Sequence, residues 1–438
     1  MRPLSDKPYP FMSAMLPELF ENVEDYEPGG LLPVKLGDIL VPGDSESNIH
    51  TLRFRILGKM GYGAFSTVWL ARDMTEGSVV AVKTARADSS LTSCEAAILD
   101  RLRSSDSDSD DSDASPVVQM LHAFTVQSPN GVHQVLIMEP VIPVKEIWPY
   151  LPFALGVKTR SLVRQLLEGL AFIHQRGVVH GDLHPSNIGV SIQDHALDRL
   201  SDMEIWRGCG HPTVVPVVSK DPARNPASIP TFLTANMEIS SLLRKTLPDI
   251  LACEPRVRIM DLGSARFADQ AASSSWVTPL EFAAPELVFP KIAHKYLEAP
   301  LDRATDIWSL ACTIWYFLGG PLFPSGENSI LHQMACVCGD APSEWTPFLQ
   351  PEDMAKTRAA QATTPDLFWA EKNAALIERG HTLEDARAIT ALLRRMLRID
   401  PLDRPAASQL LDFYLAELPS APLFSGPLFL PLMQPSTM

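Results

Sequence analysis

A chain of 438 residues, 46% apolar and 20% charged, is long enough to bury a sizeable core and has a globular composition. Its 52 acids outweigh 37 Lys and Arg, and the formal charge of −15 argues against direct binding of nucleic acid while permitting a basic partner. Six cysteines without a Cys-x-x-Cys pair fit a reducing compartment, and Cys336 and Cys338 have a poor spacing for zinc. The first residues lack a basic stretch leading into an apolar one. The longest apolar run, Ile307–Leu318, is too short to cross a bilayer. The expected location is cytoplasm or nucleus, with no membrane partner.

Residues 1 to about 41 are rich in Pro and acids; Gly29-Gly30 permits a tight turn and the alternation after it suits a short strand. From Leu52 the pattern becomes strand–turn–strand. Apolar residues of Phe54–Leu70 alternate on either side of Gly61 and Gly63, where a hairpin can close over phosphates and the glycines allow close approach. The β-branched run Ser78–Thr84 carries a lone Lys83, which is costly in a buried strand unless it meets anions. Nucleotide phosphates would supply them, as would Glu95, since Asp88 is the only other acid between the two positions. Glu95 opens a helical pattern with Ile98, Leu99 and Leu102 on one face. The Ser-Asp run Ser104–Asp113 reads as a solvated loop, either an inert tip or an acidic arm that meets a basic substrate or is itself phosphorylated.

Two strand patterns follow, Val117–Val126 and Gly131–Val141, then a helical one over Ser161–Arg176 that delivers the chain into Val178–Ile188. There Asp182 stands five residues before Asn187, behind an apolar pair and His180. Phosphoryl transfer uses such a couple: a carboxylate for the proton of the attacking hydroxyl and a neutral oxygen ligand for Mg²⁺ on the phosphates. Residues 191 to about 254 intervene, with a Pro-rich middle, Val214–Ile229, predicted to be irregular. Beyond them an apolar strand ends in Asp261-Leu-Gly263, a carboxylate suited to Mg²⁺ and a glycine for the turn.

The string His180-Gly-Asp-Leu-His-Pro-Ser-Asn187 resembles the catalytic loop of protein kinases, with Gly181 in place of the usual Arg and His184 in place of the usual Lys. It also looks like the loop of small-molecule phosphotransferases of the aminoglycoside-kinase type. Gly61-x-Gly63-x-Phe-Ser66-Thr-Val-Trp69, the lead-in Tyr26-x-x-Gly-Gly and Asp306-Ile-Trp-Ser resemble the serine/arginine-rich-protein kinases (SR-protein kinases). Ala284-Pro-Glu286 is the general kinase form, and Thr278 sits one residue farther upstream than usual. The resemblance, to a divergent, fungal-type member, runs from about Tyr26 to Leu411.

It implies an α+β, bilobal protein-kinase-like fold: N-terminal extension 1–51, β-rich N-lobe 52–141, helical C-lobe 142–420 with the insert at about 191–254, and tail 421–438. ATP and Mg²⁺ would sit between the lobes. In that alignment Asp182 is the base, and His184 replaces a lysine whose charge is permanent. Asn187 and Asp261 hold metal, and Lys83, fixed by Glu95, grips phosphates. Met60, Gly61, Gly63, Ser66, Val68 and Ala81 line the nucleotide, with the Glu139 carbonyl and Val141 amide at the hinge and Met138 behind. Arg404 is the implied buried partner of Glu286. Gly181 implies weak dependence on activation-loop phosphorylation. The expected substrate is a basic, Arg/Ser-rich protein, with no direct nucleic acid. The rival readings are a pseudokinase scaffold, suggested by His184 and Ser66, and a small-molecule phosphotransferase.

Overall fold

Strand-forming sequence is concentrated before residue 142 and helix-forming sequence after it, and the structure, a computed structural model, follows that division. It describes residues 19–43, 52–90, 93–103, 115–150, 155–192, 195–219, 221–248, 251, 253–270, 277–293, 301–323, 327–339, 342–348 and 365–418. The Ser-Asp run and the tail 421–438 lie outside them. The chain forms two units, residues 1–142 with 191–250, and residues 143–190 with 251–438.

The first unit is built on a six-stranded sheet. In chain order its strands are β1 (Ile39–Leu40), β2 (Phe54–Tyr62), β3 (Ser66–Asp73), β4 (Val79–Ala85), β5 (Met120–Ser128) and β6 (Gly131–Met138). They pair antiparallel in the order β1-β2-β3-β4-β6-β5. Alternation separates two faces. Phe54, Ile56, Trp69, Ala71, Val80, Val82, Phe124, Val135 and Ile137 form one buried cluster, joined by Leu32, Val34 and Leu40 from the N-terminal segment. The segment 19–43 therefore folds as part of this unit rather than as a separate extension. Its predicted turn is present: Gly29 has φ +86°, and a Cβ on Gly30 would lie 2.0 Å from the Asp25 carbonyl oxygen.

The insert departs from expectation. Placed by sequence within the helical lobe, its residues 191–250 fold with the β-rich unit. Polar ties explain this. Asp202 pairs with Arg55 and Arg72, Arg72 also donates to the Leu200 carbonyl (2.6 Å), and Asp198 accepts from the Val79 N–H (2.6 Å). Leu233 of the insert joins Phe20, Val23, Tyr26 and Leu31 in a second apolar cluster. The Pro-rich middle is also less irregular than predicted, because Val214–Pro216 pairs antiparallel with Phe232–Thr234.

The second unit is helical, with helices at Leu155–Gln175, Pro285–Ile292, Arg303–Gly319, Glu327–Cys338, Pro365–Glu378, Leu383–Met396 and Ala407–Glu417. The apolar run Ile307–Leu318 lies in the buried helix Arg303–Gly319, whose N-terminus is capped by Asp302 accepting from the Ala304 and Thr305 N–H groups. Two short antiparallel pairs, Val178–Val179 with Arg266–Phe267 and Ile188–Val190 with Val257–Ile259, bracket the loop carrying Asp182. Among the described residues no helix is long and apolar enough to cross a membrane.

Candidate active site

In the first unit, register places the expected nucleotide residues on the face opposite the Trp69 cluster. Val68 lies directly across from Lys83, Lys83 from Leu136, and Ala81 from Met138, so these side chains share one side of the sheet. The Lys83 ammonium donates to both carboxylate oxygens of Glu95, at 2.6 and 2.8 Å. Both side chains are largely buried, so the pair holds the lysine head in one place. Asp88, the competing acid, pairs with Arg86 instead.

Gly61 and Gly63 stand in the β2–β3 hairpin, which closes through Gly63 N–H to the Ser66 carbonyl (2.9 Å), with Tyr62 across from Thr67. A Cβ on either glycine would meet nothing within 4 Å. The hairpin backbone is therefore bare on that side, where a bound phosphate can reach it. Met60 lies one residue ahead. The Glu139 N–H donates to the Gln119 carbonyl (3.0 Å), while its carboxylate accepts from the Gln119 N–H and the Ser191 hydroxyl. That fixes the stretch leading to the buried Val141.

The catalytic-loop residues in the second unit are organised by Asp306, which the sequence marked only as the start of Asp306-Ile-Trp-Ser and gave no role at the site. Fully buried in the Arg303–Gly319 helix, it accepts from the His180 N–H (2.8 Å), the Gly181 N–H (2.9 Å) and His174 Nε2 (2.9 Å). Burial works to raise this carboxyl. The hydrogen bond and charge of His174 and the Gly181 N–H outweigh it and hold Asp306 below the ordinary carboxylate range. An acid at the head of an otherwise apolar helix was the available signal, since buried acids are rare without partners.

His180 then donates through Nε2 to the Met260 carbonyl (3.2 Å) and accepts the Asp182 N–H at Nδ1 (3.2 Å). With Nδ1 as the acceptor, the neutral ring carries its proton on Nε2 and donates to Met260. The Asn187 amide nitrogen donates to the Asp182 carbonyl (2.9 Å), which turns its amide oxygen away. The Asp182 side-chain oxygen Oδ1 is buried and has no hydrogen-bond partner among the described residues. His184 Nε2 lies 3.7 Å from the other oxygen, while its Nδ1 accepts the Ser186 N–H.

Gly181 has φ +76°, and a Cβ there would lie 3.0 Å from the Ser264 carbonyl oxygen, so the departure from Arg suits a left-handed, crowded position. Thr278, despite its shifted spacing, is buried and donates to the Gly181 carbonyl (2.9 Å), tying the end of the activation segment to this loop. Asp261 holds a left-handed backbone (φ 61°) and accepts the Gly263 N–H at 3.4 Å. Glu286 receives two parallel hydrogen bonds from Arg404, at 2.7 and 2.8 Å, as expected.

The protein kinase domain family matches residues 54–211 and 248–414. The chain belongs to that family. Serine/threonine-protein kinase SKY1 of Saccharomyces cerevisiae is 32% identical over 183 residues, 40% of this chain and 23% of the yeast protein. SRSF protein kinase 3 of Homo sapiens is 30% identical over 200 residues, 44% of this chain and 33% of that protein. Serine/threonine-protein kinase SRPK of Physarum polycephalum is 27% identical over 314 residues, 69% of this chain and 66% of its own length. The chain thus spans about a quarter to a third of the first two relatives. The crystal structure of a kinase domain shares the fold, with a TM-score of 0.51 at 18% identity, covering 88% of this chain and 98% of the other.

Protein kinases generally use ATP and Mg²⁺, and the donor set of this kinase domain fits the ion. Mg²⁺ takes hard oxygen ligands and commonly binds through one or two protein side chains plus phosphates and water. The turned-out amide oxygen of Asn187 and the Asp261 carboxylate are of that kind. Among the described residues no group of three or more His, Cys, Asp and Glu side chains gathers into an all-protein cage.

Proposed function

We propose that this kinase domain is an ATP-dependent serine/threonine protein kinase whose substrates are basic, Arg/Ser-rich segments. The observation that carries the reading is Asp182: its buried, unpartnered Oδ1 stands in a loop whose backbone is fixed by Asp306, His180 and Asn187. A carboxylate so placed is prepared to accept the proton of an incoming hydroxyl. Lys83, locked by Glu95, binds the α/β-phosphates, and the hairpin backbone at Gly61 and Gly63 covers them. Asn187 and Asp261 hold Mg²⁺, which when bound neutralises charge on the phosphates. His184, with Nδ1 occupied by the Ser186 N–H, holds Nε2 3.7 Å from the Asp182 carboxylate, from where it would donate to the transferring group. Cytoplasm or nucleus is the proposed location, supported by six cysteines that form no disulfide.

The net charge of −15 and the relatives named SRSF protein kinase support a basic substrate. Labelled-ATP turnover on an Arg-Ser peptide is expected to exceed that on casein or an acidic peptide. KM for the basic peptide should rise with salt, because screening at 0.15 M acts beyond about 8 Å. Preference for the acidic peptide would overturn the substrate assignment, and absence of turnover on every protein substrate would overturn the kinase reading.

Replacing His184 tests the departure from the common lysine. His184→Ala is expected to lower kcat by about 10²-fold, the scale for removal of one preorganised donor. His184→Lys should retain or raise kcat. Full activity of the alanine variant in single-turnover assays would make the imidazole a filler against Phe282, whose ring centroid lies 6.1 Å away.

A further inference from the structure

Lys59 lies in β2, two residues before Gly61, and is wholly buried. Its ammonium is ion-paired with Glu21 of the N-terminal segment and sits 4.8 Å from the Trp69 ring centroid. Burial draws the Lys59 ammonium below the ordinary lysine range, and the Glu21 carboxylate opposes that shift. Tyr26, also buried, donates its hydroxyl to the other Glu21 oxygen (2.6 Å).

The insert grips the same residues from the backbone side. Met237 N–H donates to the Lys59 carbonyl (2.7 Å), Asn236 bridges to Lys59, and Trp206 Nε1 donates to the Leu57 carbonyl (2.7 Å). Between those carbonyls, Gly58 is pressed so closely that a Cβ would fall 1.9 Å from the Met237 sulfur. Arg224 of the insert also donates to the Tyr26 carbonyl, which joins the two grips to each other. Neither the bare hairpin nor a β-strand needs this. The register of β2 against β3 shifts at Ile56/Gly58 and at Lys59/Gly61, so the β2–β3 ladder is interrupted at the hairpin root, where the insert supplies further hydrogen bonds.

We propose that the N-terminal segment and the insert form a clamp on Leu57–Lys59 that presets the glycine hairpin, with Glu21, Trp206 and Met237 as positioning residues for nucleotide binding. The inference rests on the proposed nucleotide role of that hairpin, and it explains why segments distant in sequence converge on its root. An ordered hairpin meets the phosphates without a further ordering cost. Loosening the clamp should therefore weaken nucleotide binding and leave the second unit's own residues unaffected.

The experiment uses the full chain and two variants. Trp206→Phe keeps an aromatic ring but removes the donor to Leu57; Glu21→Gln removes the charge facing Lys59. Hydrogen exchange of the Gly61 and Gly63 amides is read alongside the Kd for Mg-ATP, the KM for a peptide substrate and the thermal midpoint. Trp206→Phe is expected to speed hairpin exchange and raise the Mg-ATP Kd about fivefold, the scale of one lost neutral hydrogen bond. Peptide KM and exchange in the Arg303–Gly319 helix should stay at wild-type values. Glu21→Gln should move the first two readouts further in the same direction; if that variant fails to fold, Trp206→Phe carries the test. Wild-type exchange at Gly61 and Gly63 in Trp206→Phe would overturn the clamp, as would acceleration spread equally over both units. Should the wild-type chain bind no Mg-ATP while Trp206→Phe still loosens the hairpin, the clamp stands as a structural device and the nucleotide reading falls.

Discussion

Asp182→Asn and Asp261→Asn are each expected to stop phosphoryl transfer while the chain keeps its fold. For Asp182 the reason lies in what the loop already satisfies. Its N–H donates to His180 and its carbonyl accepts from the Asn187 amide, so the side chain is spared for chemistry. An amide preserves shape and volume but cannot take a proton, and loss of a general base typically costs about 10²–10⁴-fold in kcat. At Asp261 the left-handed backbone decides which variant is informative. Alanine there adds a backbone penalty of about 1–2 kcal/mol, whereas asparagine tolerates φ 61°. Asp261→Ala should therefore be inactive and slightly less stable, and Asp261→Asn inactive at wild-type stability. Labelled-ATP turnover with circular-dichroism melts separates the two effects. Near-wild-type turnover in any of these variants would show that the site has been assigned to the wrong residues.

Arg404→Ala is expected to be strongly destabilising. The Arg404 side chain is fully buried and donates to Glu286 through two nitrogens, and also to the carbonyls of Arg398, Ala304 and Ile399. It lies over the Trp308 ring as well, 5.2 Å from the centroid. Removing one partner of a buried pair leaves the other charge uncompensated, which costs about 3–5 kcal/mol. Glu286 retains some exposure, so the lower half of that range is the better expectation. A urea midpoint that falls accordingly supports the account. Adding Glu286→Gln to Arg404→Ala should return part of the loss, because no carboxylate is then stranded. No recovery in the double variant would mean that the carbonyl contacts, rather than the ion pair, are what Arg404 contributes.

The proposed chemistry could be read from the sequence because phosphoryl transfer demands particular residue types at short spacings. Asp182 and Asn187 lie within one turn, Asp261 follows its own strand, and Lys83 has few acids from which to draw a partner. Period-two alternation set which face of the sheet Val68, Ala81 and Lys83 share, and the apolar run after Asp306 marked a buried helix. Local signals of that kind survive without knowledge of the fold.

Long-range placement does not have such a signal. That residues 191–250 fold with the β-rich unit depends on Asp202 meeting Arg55 and Arg72, some 130 to 147 positions away in the chain. Nothing near Asp202 announces those partners. The same holds for Glu21 and Lys59: each alone reads as a surface charge, and only burial together makes them an ion pair at the root of the glycine hairpin. Asp306 became the organiser of the catalytic loop because the helix carrying it packs where two backbone N–H groups and His174 converge. Sequence determined which groups could do chemistry; tertiary structure decided which buried charges hold them in position, since a charge's partner is set by the fold.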